Sequence, residues 1–309
     1  MIKKKKILII GGSGFLASYW IEILNKYNNE IILLINHRVN NLVRKFEYYD
    51  YKKIKNLSLF FKKKKFDLII NTASIANVEL CENKPLLAKL AHENLVKIVA
   101  KATKEINGYL VHISTDHLFS GKNELYKETS NTSPLNNYSK TKLNSEKIII
   151  KSKLKRYLII RGNFFGFGPT YKKTLLDWII DSVSKNKKVI IYDDIYFSPL
   201  YVTVFISMIN KLIVLEEKGI FNVSSTESIS KYNFALNILK ITNLDKKKIQ
   251  SGSGEKLFSV KRPANMSLSP NKLLKKLKIK KNILSQNYQN KIFGKSLKSK
   301  IVQTIKNLK

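Results

Sequence analysis

"ILIIGGSGFLA", residues 7–17, joins an apolar run to a glycine-rich turn close to the start of the numbering. Four apolar residues lead into a glycine turn, and a helix-compatible segment follows. Gly11 permits a tight turn, Gly14 lets the backbone approach a pyrophosphate, and the small Ala17 allows helix and strand to pack closely. The pattern predicts a dinucleotide-binding strand–turn–helix whose helix N-terminus faces the phosphates. The residues expected to contact the cofactor here are Gly11, Ser13, Gly14, Phe15 and Leu16.

The same rhythm continues through the first half of the chain. Short apolar runs recur at 31–35, 67–71, 109–113 and 157–161, separated by segments of helical length. Apolar runs without polar alternation are typical of strands that are covered on both faces. Alternating strands and helices predict an α/β fold, a Rossmann-type doubly wound parallel sheet with right-handed crossovers.

Beyond Arg161 the spacing of the apolar runs changes, and a glycine-rich loop, "GNFFGFGPTY", follows. We expect residues 1–162 to form an NAD(P)-binding Rossmann domain and residues 163–309 a smaller substrate-binding lobe. The apolar run at 219–223 reads as a strand that returns to the first sheet. The two lobes are therefore expected to interleave.

The chain is strongly basic, with a net charge of +35 over 309 residues. Such a charge attracts phosphate, but the lysines are spread along the chain, which indicates a solvated surface and no nucleic-acid partner. The C-terminal region is the exception, because no acidic residue follows Glu255. A patch that binds an anionic ligand or a membrane surface is therefore an alternative for residues 271–309. Leu297, Ile301 and Ile305 share a helical face, however, which predicts packing on the body.

Composition also narrows the class of protein. Hydrophobic residues make up 44% of the chain, as in a globular protein. No apolar run reaches the roughly 20 residues of a membrane span, and the N-terminal ILII reads as a strand rather than a signal peptide. The single cysteine, Cys81, excludes an internal disulfide. A cytoplasmic location is expected.

A second stretch, "NNYSKTKLNSEKIII" at 136–150, places Tyr138 and Lys142 four residues apart on one helical face. A free tyrosine titrates near ~10, and one ammonium about 4 Å away supplies ~4 kcal/mol at an effective dielectric of ~20. That is enough to make the phenol a usable proton donor near neutral pH. In "HISTDHLF", Thr115 and Asp116 follow the strand at 109–113, at the sheet edge where ligands bind. A hydroxyl there would bind a substrate carbonyl while Tyr138 protonates it.

The second strand bears on the choice of cofactor. It runs into "INHRVN", which has no acid to hold the adenosine ribose, whereas Arg38 could meet a 2′-phosphate. This favours NADPH, with NADH as the alternative.

These motifs together resemble the extended short-chain dehydrogenase/reductase family, in its dTDP-4-dehydrorhamnose reductase-like branch of nucleotide-sugar reductases. The matching pieces run in family order from residue 7 to about 275. They include "GGSGFLA", "FDLIINTASIANVELCENKP", "LVHISTDHLFSGKNELYKETSNTSPLNNYSKTKLNSEK", "GIFNVSSTESISKYNFA" and "VKRPANMSLSPNKL".

The resemblance implies NADPH-dependent reduction of a nucleotide-linked 4-keto-6-deoxysugar. Tyr138 would be the acid, Lys142 would lower its pKa and hold the nicotinamide ribose, and Thr115 would orient the carbonyl. A homodimer is possible, because dimers are common in the family. The sequence has no His, Cys, Asp and Glu cluster with metal-ligand spacing, so no metal is expected. The further site residues that the resemblance implies are Asn71 and Ala73 for the cofactor, and Asp116, Asn163 and Arg262 for the substrate.

Two other activities stay open at this point. One is a nucleotide-sugar epimerase or dehydrogenase that uses the same site. The other is a non-catalytic NADP-binding regulatory subunit, as in the β subunit of methionine adenosyltransferase. Dehydration is disfavoured, because related 4,6-dehydratases carry Asp-Glu after the threonine and this chain has Asp116-His117. His117 also stands where reductases of this branch often carry an aromatic residue.

Overall fold

The computed structural model of the chain describes residues 1–36, 47–50, 56–169, 171, 173–254 and 258–307. The strands are β1 (Lys6–Ile10), β2 (Glu30–Ile35), β3 (Glu47–Asp50), β4 (Leu68–Asn71), β5 (Tyr109–Ile113), β6 (Tyr157–Arg161), β7 (Phe164–Phe165), β8 (Val189–Tyr192), β9 (Tyr196–Phe197), β10 (Leu200–Tyr201), β11 (Gly219–Asn222), β12 (Ile229–Ser230) and β13 (Ile249–Gly252). The α-helices are α1 (Phe15–Asn25), α2 (Leu57–Lys64), α3 (Val78–Asn83), α4 (Pro85–Lys89), α5 (Leu95–Glu105), α6 (Asn137–Lys151), α7 (Leu175–Ser184), α8 (Val202–Val214), α9 (Lys231–Thr242), α10 (Asn271–Leu277) and α11 (Gln286–Asn307).

The centre of the fold is a seven-stranded sheet in the order β11-β6-β5-β4-β1-β2-β3, and every pair of neighbours in it is parallel. The order from β3 to β6 is that of a doubly wound dinucleotide-binding sheet, and it reverses between β1 and β4. The predicted α/β Rossmann-type fold is confirmed. The sequence did not predict β3, because "EYYD" is not an apolar run.

Two apolar layers cover the two faces of this sheet, and β1 shows the division. Ile7 and Ile9 belong to the core cluster that contains Trp20 of α1, while Leu8 and Ile10 belong to the cluster that contains Val99 of α5. Successive side chains of a strand point to opposite faces, so a strand covered on both sides must be apolar throughout. This is why "ILII" predicts a central strand.

The C-terminal half contributes to both parts of the molecule. Its strand β11 pairs in parallel with β6 and extends the central sheet. Three small two-stranded sheets, β10-β7, β12-β9 and β13-β8, lie outside the central sheet. The boundary near residue 162 stays a prediction.

The helical region between β4 and β5 departs from a regular helix, because a π-helical turn (Leu90–Asn94) separates α4 from α5. A π turn adds a residue relative to the 3.6-residue period, so the residues before and after it no longer share one face. Leu87, Leu90 and Ile98 recur at helical spacing, which predicts that they share a buried face, but they are 42%, 55% and 42% exposed. The homodimer expected from the resemblance stays a prediction.

The last helix, α11, packs on the body through Phe293 and Gln289, while the predicted contacts of Ile301 and Ile305 fall on side chains that the structure does not describe. Phe293 is fully buried, and its ring centroid lies 5.8 Å from the ring centroids of Phe165 and Tyr201. The Gln289 side-chain oxygen accepts a hydrogen bond from the backbone N–H of Tyr201 at 3.0 Å. Side chains beyond residue 297 lie outside the described part of the chain.

Within the described ranges, no helix combines the length and the apolar character needed to cross a membrane. The same residues contain no group of three or more His, Cys, Asp and Glu side chains that could hold a metal ion.

Candidate active site

The glycine turn lies where the strand order reverses, between the ends of β1 and β4. Gly11 has φ +80°, and a Cβ built on it would lie 2.8 Å from the Cα of Ala73. Gly14 is the N-cap of α1 and provides no side-chain cap, so the first amides of this helix keep their capacity to bind an anion. Ala17 is fully buried. These features fit a dinucleotide, whose pyrophosphate would be held by the turn and by the helix N-terminus.

We expect Gly11→Ala to destabilise the chain and to weaken dinucleotide binding. The left-handed backbone costs an L-residue about 1–2 kcal/mol, and the new methyl group would also push Ala73 out of position. Gly219→Ala is the matched control, because Gly219 has φ +103° but nothing within 4 Å of its Cβ position. Urea unfolding and NADPH titration check this. Equal NADPH affinity in the two variants would contradict it.

Asn71 and Ala73 follow β4, as the resemblance implied, but they differ in function. Asn71 is buried and bonded within the protein, through Nδ2 to His112 Nδ1 at 3.2 Å and through Oδ1 to the backbone N–H of Ala73 at 3.1 Å. It therefore shapes the loop rather than facing a ligand. Ala73 is partly exposed and touches the glycine turn.

Tyr138 stands in the first turn of α6, and the start of that helix is fixed from two sides. The Asn136 side chain caps the helix by accepting the Ser139 N–H at 2.9 Å, and its Nδ2 donates to the Lys261 carbonyl at 2.9 Å. The N–H of Asn137 donates to Glu82 Oε2 at 2.8 Å. Tyr138 is thereby held between the segment around α3 and the C-terminal half.

Thr115 and Tyr138 come together in a buried cleft, as the sequence predicted. Thr115 is 3% exposed and Tyr138 9% exposed. Burial raises the pKa of Tyr138; the nearby Thr115 side chain lowers it, and Asp116 raises it again. A phenol with a raised pKa stays protonated at neutral pH, which is the form that a proton donor needs.

Lys142 lies on the same helix but its ammonium is directed elsewhere. Nζ donates to the carbonyl of Ile113, at the end of β5, at 2.6 Å. Burial lowers the pKa of Lys142 to about 8, against the effect of Glu146, which raises it. The expected lowering of the Tyr138 pKa by Lys142 is not found here, because burial dominates that pKa and Lys142 is not among the groups that shift it. The i, i+4 spacing set the two residues on one face but could not fix the direction of the ammonium.

A buried ion pair lies beneath Lys142. Arg161, at the end of β6, contacts Glu146 through Nη2 at 2.7 Å and through Nε at 3.0 Å, and both side chains are nearly inaccessible to solvent. The Ser114 hydroxyl also donates to Glu146. This network joins α6 to β5 and β6 directly below the cleft.

Two histidines place their ring edges against Tyr138. His92, from the π-helical turn, accepts the Ile75 N–H at 3.1 Å and pairs with the Thr141 hydroxyl at 2.8 Å. Burial lowers the pKa of His92 to about 3, so it is neutral and joins the loop after β4 to α6. The sequence analysis missed it, because the helical pattern around it indicates only packing. The other ring is His117.

The predicted substrate residues are found around this cleft, with partners inside the protein. Asp116 is buried, and its Oδ2 accepts a hydrogen bond from Asn163 Nδ2 at 3.0 Å. Arg262 pairs with Glu79 of α3, and its guanidinium lies 4.0 Å from the ring centroid of Phe258. Arg262 is close enough to His117 to lower its pKa, and Asn163 contacts Asp116, while their binding to substrate stays a prediction.

Lys231, the first residue of α9, is a further cation at the cleft that the sequence analysis missed. Its ammonium lies 4.2 Å from the ring centroid of Phe197. Burial lowers its pKa to about 8; Asp116 raises it, and Arg262 lowers it. In a chain with 57 Lys and Arg residues, no sequence signal distinguishes this lysine from the others. Arg38, expected to meet the cofactor, lies outside the described residues.

The glycine turn lies at the switch point of a doubly wound sheet. A buried phenol and a hydroxyl that follows another strand lie at the same edge of this sheet. These features place the chain among the extended short-chain dehydrogenases/reductases. The family model described as the RmlD substrate binding domain matches residues 5–292. The chain belongs to this family, and the family predicted from the motifs is confirmed.

Individual relatives give the same family at modest identity. The chain is 36% identical to dTDP-4-dehydrorhamnose reductase of Salmonella typhimurium over 130 aligned residues. These residues make up 41% of this chain and 43% of the reductase. The match thus spans less than half of that relative. Methionine adenosyltransferase 2 subunit beta of Rattus norvegicus is 24% identical over 278 residues, which cover 88% of this chain and 82% of the subunit.

Solved structures match over more of the chain. A dTDP-4-dehydrorhamnose reductase ortholog from Clostridium acetobutylicum has a TM-score of 0.80 at 25% identity. The superposition covers 97% of this chain and 99% of the ortholog. The dTDP-4-dehydrorhamnose reductase of Bacillus anthracis, solved in complex with NADP, has a TM-score of 0.77 at 26% identity, covering 88% and 93%.

Proposed function

We propose that this chain catalyses the NADPH-dependent reduction of a nucleotide-linked 4-keto-6-deoxysugar. The observation that carries the proposal is the meeting of the buried Thr115 and Tyr138 side chains at the edge of the parallel sheet where the glycine turn also lies. General acid catalysis requires a protonated group that can reach the substrate oxygen. Tyr138, whose raised pKa keeps it protonated at neutral pH, would be this group, and Thr115 would orient the same oxygen.

NADPH, when bound, supplies the hydride. Gly11, Gly14 and the first amides of α1 would hold its pyrophosphate, with Ala73 on the opposite side of the crevice. NADP is favoured over NAD because the related Bacillus anthracis reductase was solved with NADP. NADH remains the alternative cofactor.

After proton transfer, the negative charge on the Tyr138 oxygen needs a nearby cation. Lys142 is one helical turn away, and the charge of Glu146 favours its protonated form. Lys231 and Arg262 sit on the C-terminal side of the cleft, where they would meet the phosphates of a nucleotide sugar. Asp116 and Asn163, bonded to each other, would complete the wall around the sugar.

The test is NADPH oxidation with a panel of dTDP-, GDP- and UDP-linked 4-keto-6-deoxysugars. We expect one of them to be reduced with release of NADP⁺ in proportion to product. Product without net NADP⁺ would instead indicate an epimerase, which returns its hydride. If no sugar of the panel is converted to product, with or without release of NADP⁺, the proposal is contradicted.

A regulatory subunit is the second candidate, because the methionine adenosyltransferase β subunit aligns with 88% of this chain. That function would require binding to a partner enzyme and no turnover. The buried Thr115–Tyr138 pair favours catalysis. Co-purification with a partner enzyme, together with no turnover of any sugar in the panel, would favour the regulatory function.

A further inference from the structure

His117 lies in the reaction cleft and is coupled to both reacting side chains. Its backbone N–H donates to the Thr115 hydroxyl oxygen at 3.2 Å. Its ring meets the Tyr138 ring edge-on, with 5.6 Å between the centroids and an interplanar angle of 89°. The His117 ring therefore lies directly beside the Tyr138 ring.

The ring of His117 is neutral. Burial lowers its pKa; Asp116 raises it, while Lys231 and Arg262 lower it further. A neutral imidazole has one N–H donor and one acceptor nitrogen, so it suits a hydroxyl, which can both donate and accept.

The His117 ring makes no hydrogen bond to the residues that the structure describes. Nδ1 is buried and has no hydrogen-bond partner among them. Nε2 lies 4.0 Å from Asp116 Oδ1, which is beyond hydrogen-bond length. Leaving a buried polar atom unpaired costs stability, and native proteins keep few of them outside functional sites. Arg262 Nε, beside the same cleft, is also buried and unpaired.

We propose that His117 is a specificity-determining residue that hydrogen-bonds the 3-hydroxyl of the sugar; this inference rests on the proposed function. In a 4-keto-6-deoxysugar, C3 is the only neighbour of the reacting carbon that carries a hydroxyl, since C5 carries the methyl group. A ring directly beside the proton donor faces that neighbourhood. The 3-hydroxyl would satisfy the buried Nδ1 of this ring.

The experiment compares His117→Phe with the unaltered chain on a 3-hydroxy substrate and its 3-deoxy analogue. For the 3-hydroxy substrate, kcat/KM should fall about 5- to 100-fold in the variant, because the sugar hydroxyl is left buried without a partner. The unaltered chain should prefer the 3-hydroxy substrate, and the variant should lose this preference. An unchanged preference would overturn the proposal.

His112→Phe is the matched control, because His112 is a buried histidine whose two ring nitrogens are both bonded, to Asn71 and Ser145 at 3.2 Å each. Its Tm should fall. The Tm of His117→Phe should be unchanged or higher, since an unpaired atom is removed. A fall in Tm with an unaltered 3-hydroxy preference would make His117 a structural residue.

Failure of the reductase assignment is recognised separately. If the unaltered chain turns over no 4-keto-sugar, the proposed function fails. The preference for the 3-hydroxyl is then measured by binding. Calorimetry gives the Kd of the 4-hydroxy nucleotide sugar and the Kd of its 3-deoxy analogue, and the ratio of the two Kd values is the preference. A ratio that His117→Phe abolishes upholds the His117 contact, and a ratio that it leaves unchanged overturns it.

Discussion

Replacing Tyr138 by Phe is expected to reduce turnover about 10²- to 10⁴-fold, the range that a positioned proton donor contributes. The change removes one oxygen and leaves the ring in its pocket between His92 and His117. NADPH affinity should stay close to that of the unaltered chain, because the glycine turn and Lys142 are intact. Steady-state kinetics with the reactive sugar and fluorescence titration with NADPH measure the two quantities.

Tyr109→Phe is the control for the loss of a buried phenolic oxygen. Tyr109 is buried in β5, and its hydroxyl donates to the carbonyl of Glu217, away from the cleft. This variant should lose about 1 kcal/mol of stability and keep its activity. Turnover by Tyr138→Phe at the rate of Tyr109→Phe would show that another group donates the proton.

The second large effect is expected from Glu146→Gln. The substitution keeps the shape of the side chain but leaves the Arg161 guanidinium, almost completely buried, without its counter-charge. Removal of one partner from a buried ion pair typically costs about 3–5 kcal/mol of unfolding free energy. The pKa of Lys142 should also fall further below its ordinary value, because the charge of Glu146 raises it. Urea unfolding measures the stability.

Glu216→Gln is the matched control, because Glu216 pairs with Arg156 at the same distance of 2.7 Å. That pair is on the surface, with 37% and 68% of the side chains exposed, so its loss should cost at most about 1 kcal/mol. Equal losses in the two variants would show that burial does not set the strength of the Glu146 pair.

The fold was more predictable than the electrostatics of the site. Buried parallel strands are apolar throughout, so "ILII" and the runs at 31–35 and 157–161 marked strands that the structure places within about one residue. The polar edge strand β3 gave no such signal. The π-helical turn was not predicted from the sequence either. It interrupts the helical period, and Leu87 and Leu90 are exposed where that period predicts burial.

Within the site, sequence spacing predicted neighbours but not directions. Thr115 and Tyr138 come together because a strand end and a helix start meet at one edge of the sheet. The pKa of Tyr138 moved opposite to the expectation, since burial raises it more than the hydrogen bond with Thr115 lowers it. Lys231 lies far from Asp116 in sequence, and only the return of the chain after β12 brings the two close.

The pairing of β11 with β6 has a consequence for synthesis of the chain on the ribosome. Until Asn222 has emerged, the Leu158–Ile159–Ile160 segment of β6 is a bare edge strand that can pair with other chains. The β6 edge therefore stays unpaired while about sixty further residues, from Arg161 to Asn222, are synthesised, and a fragment that ends at residue 162 would keep this edge unpaired.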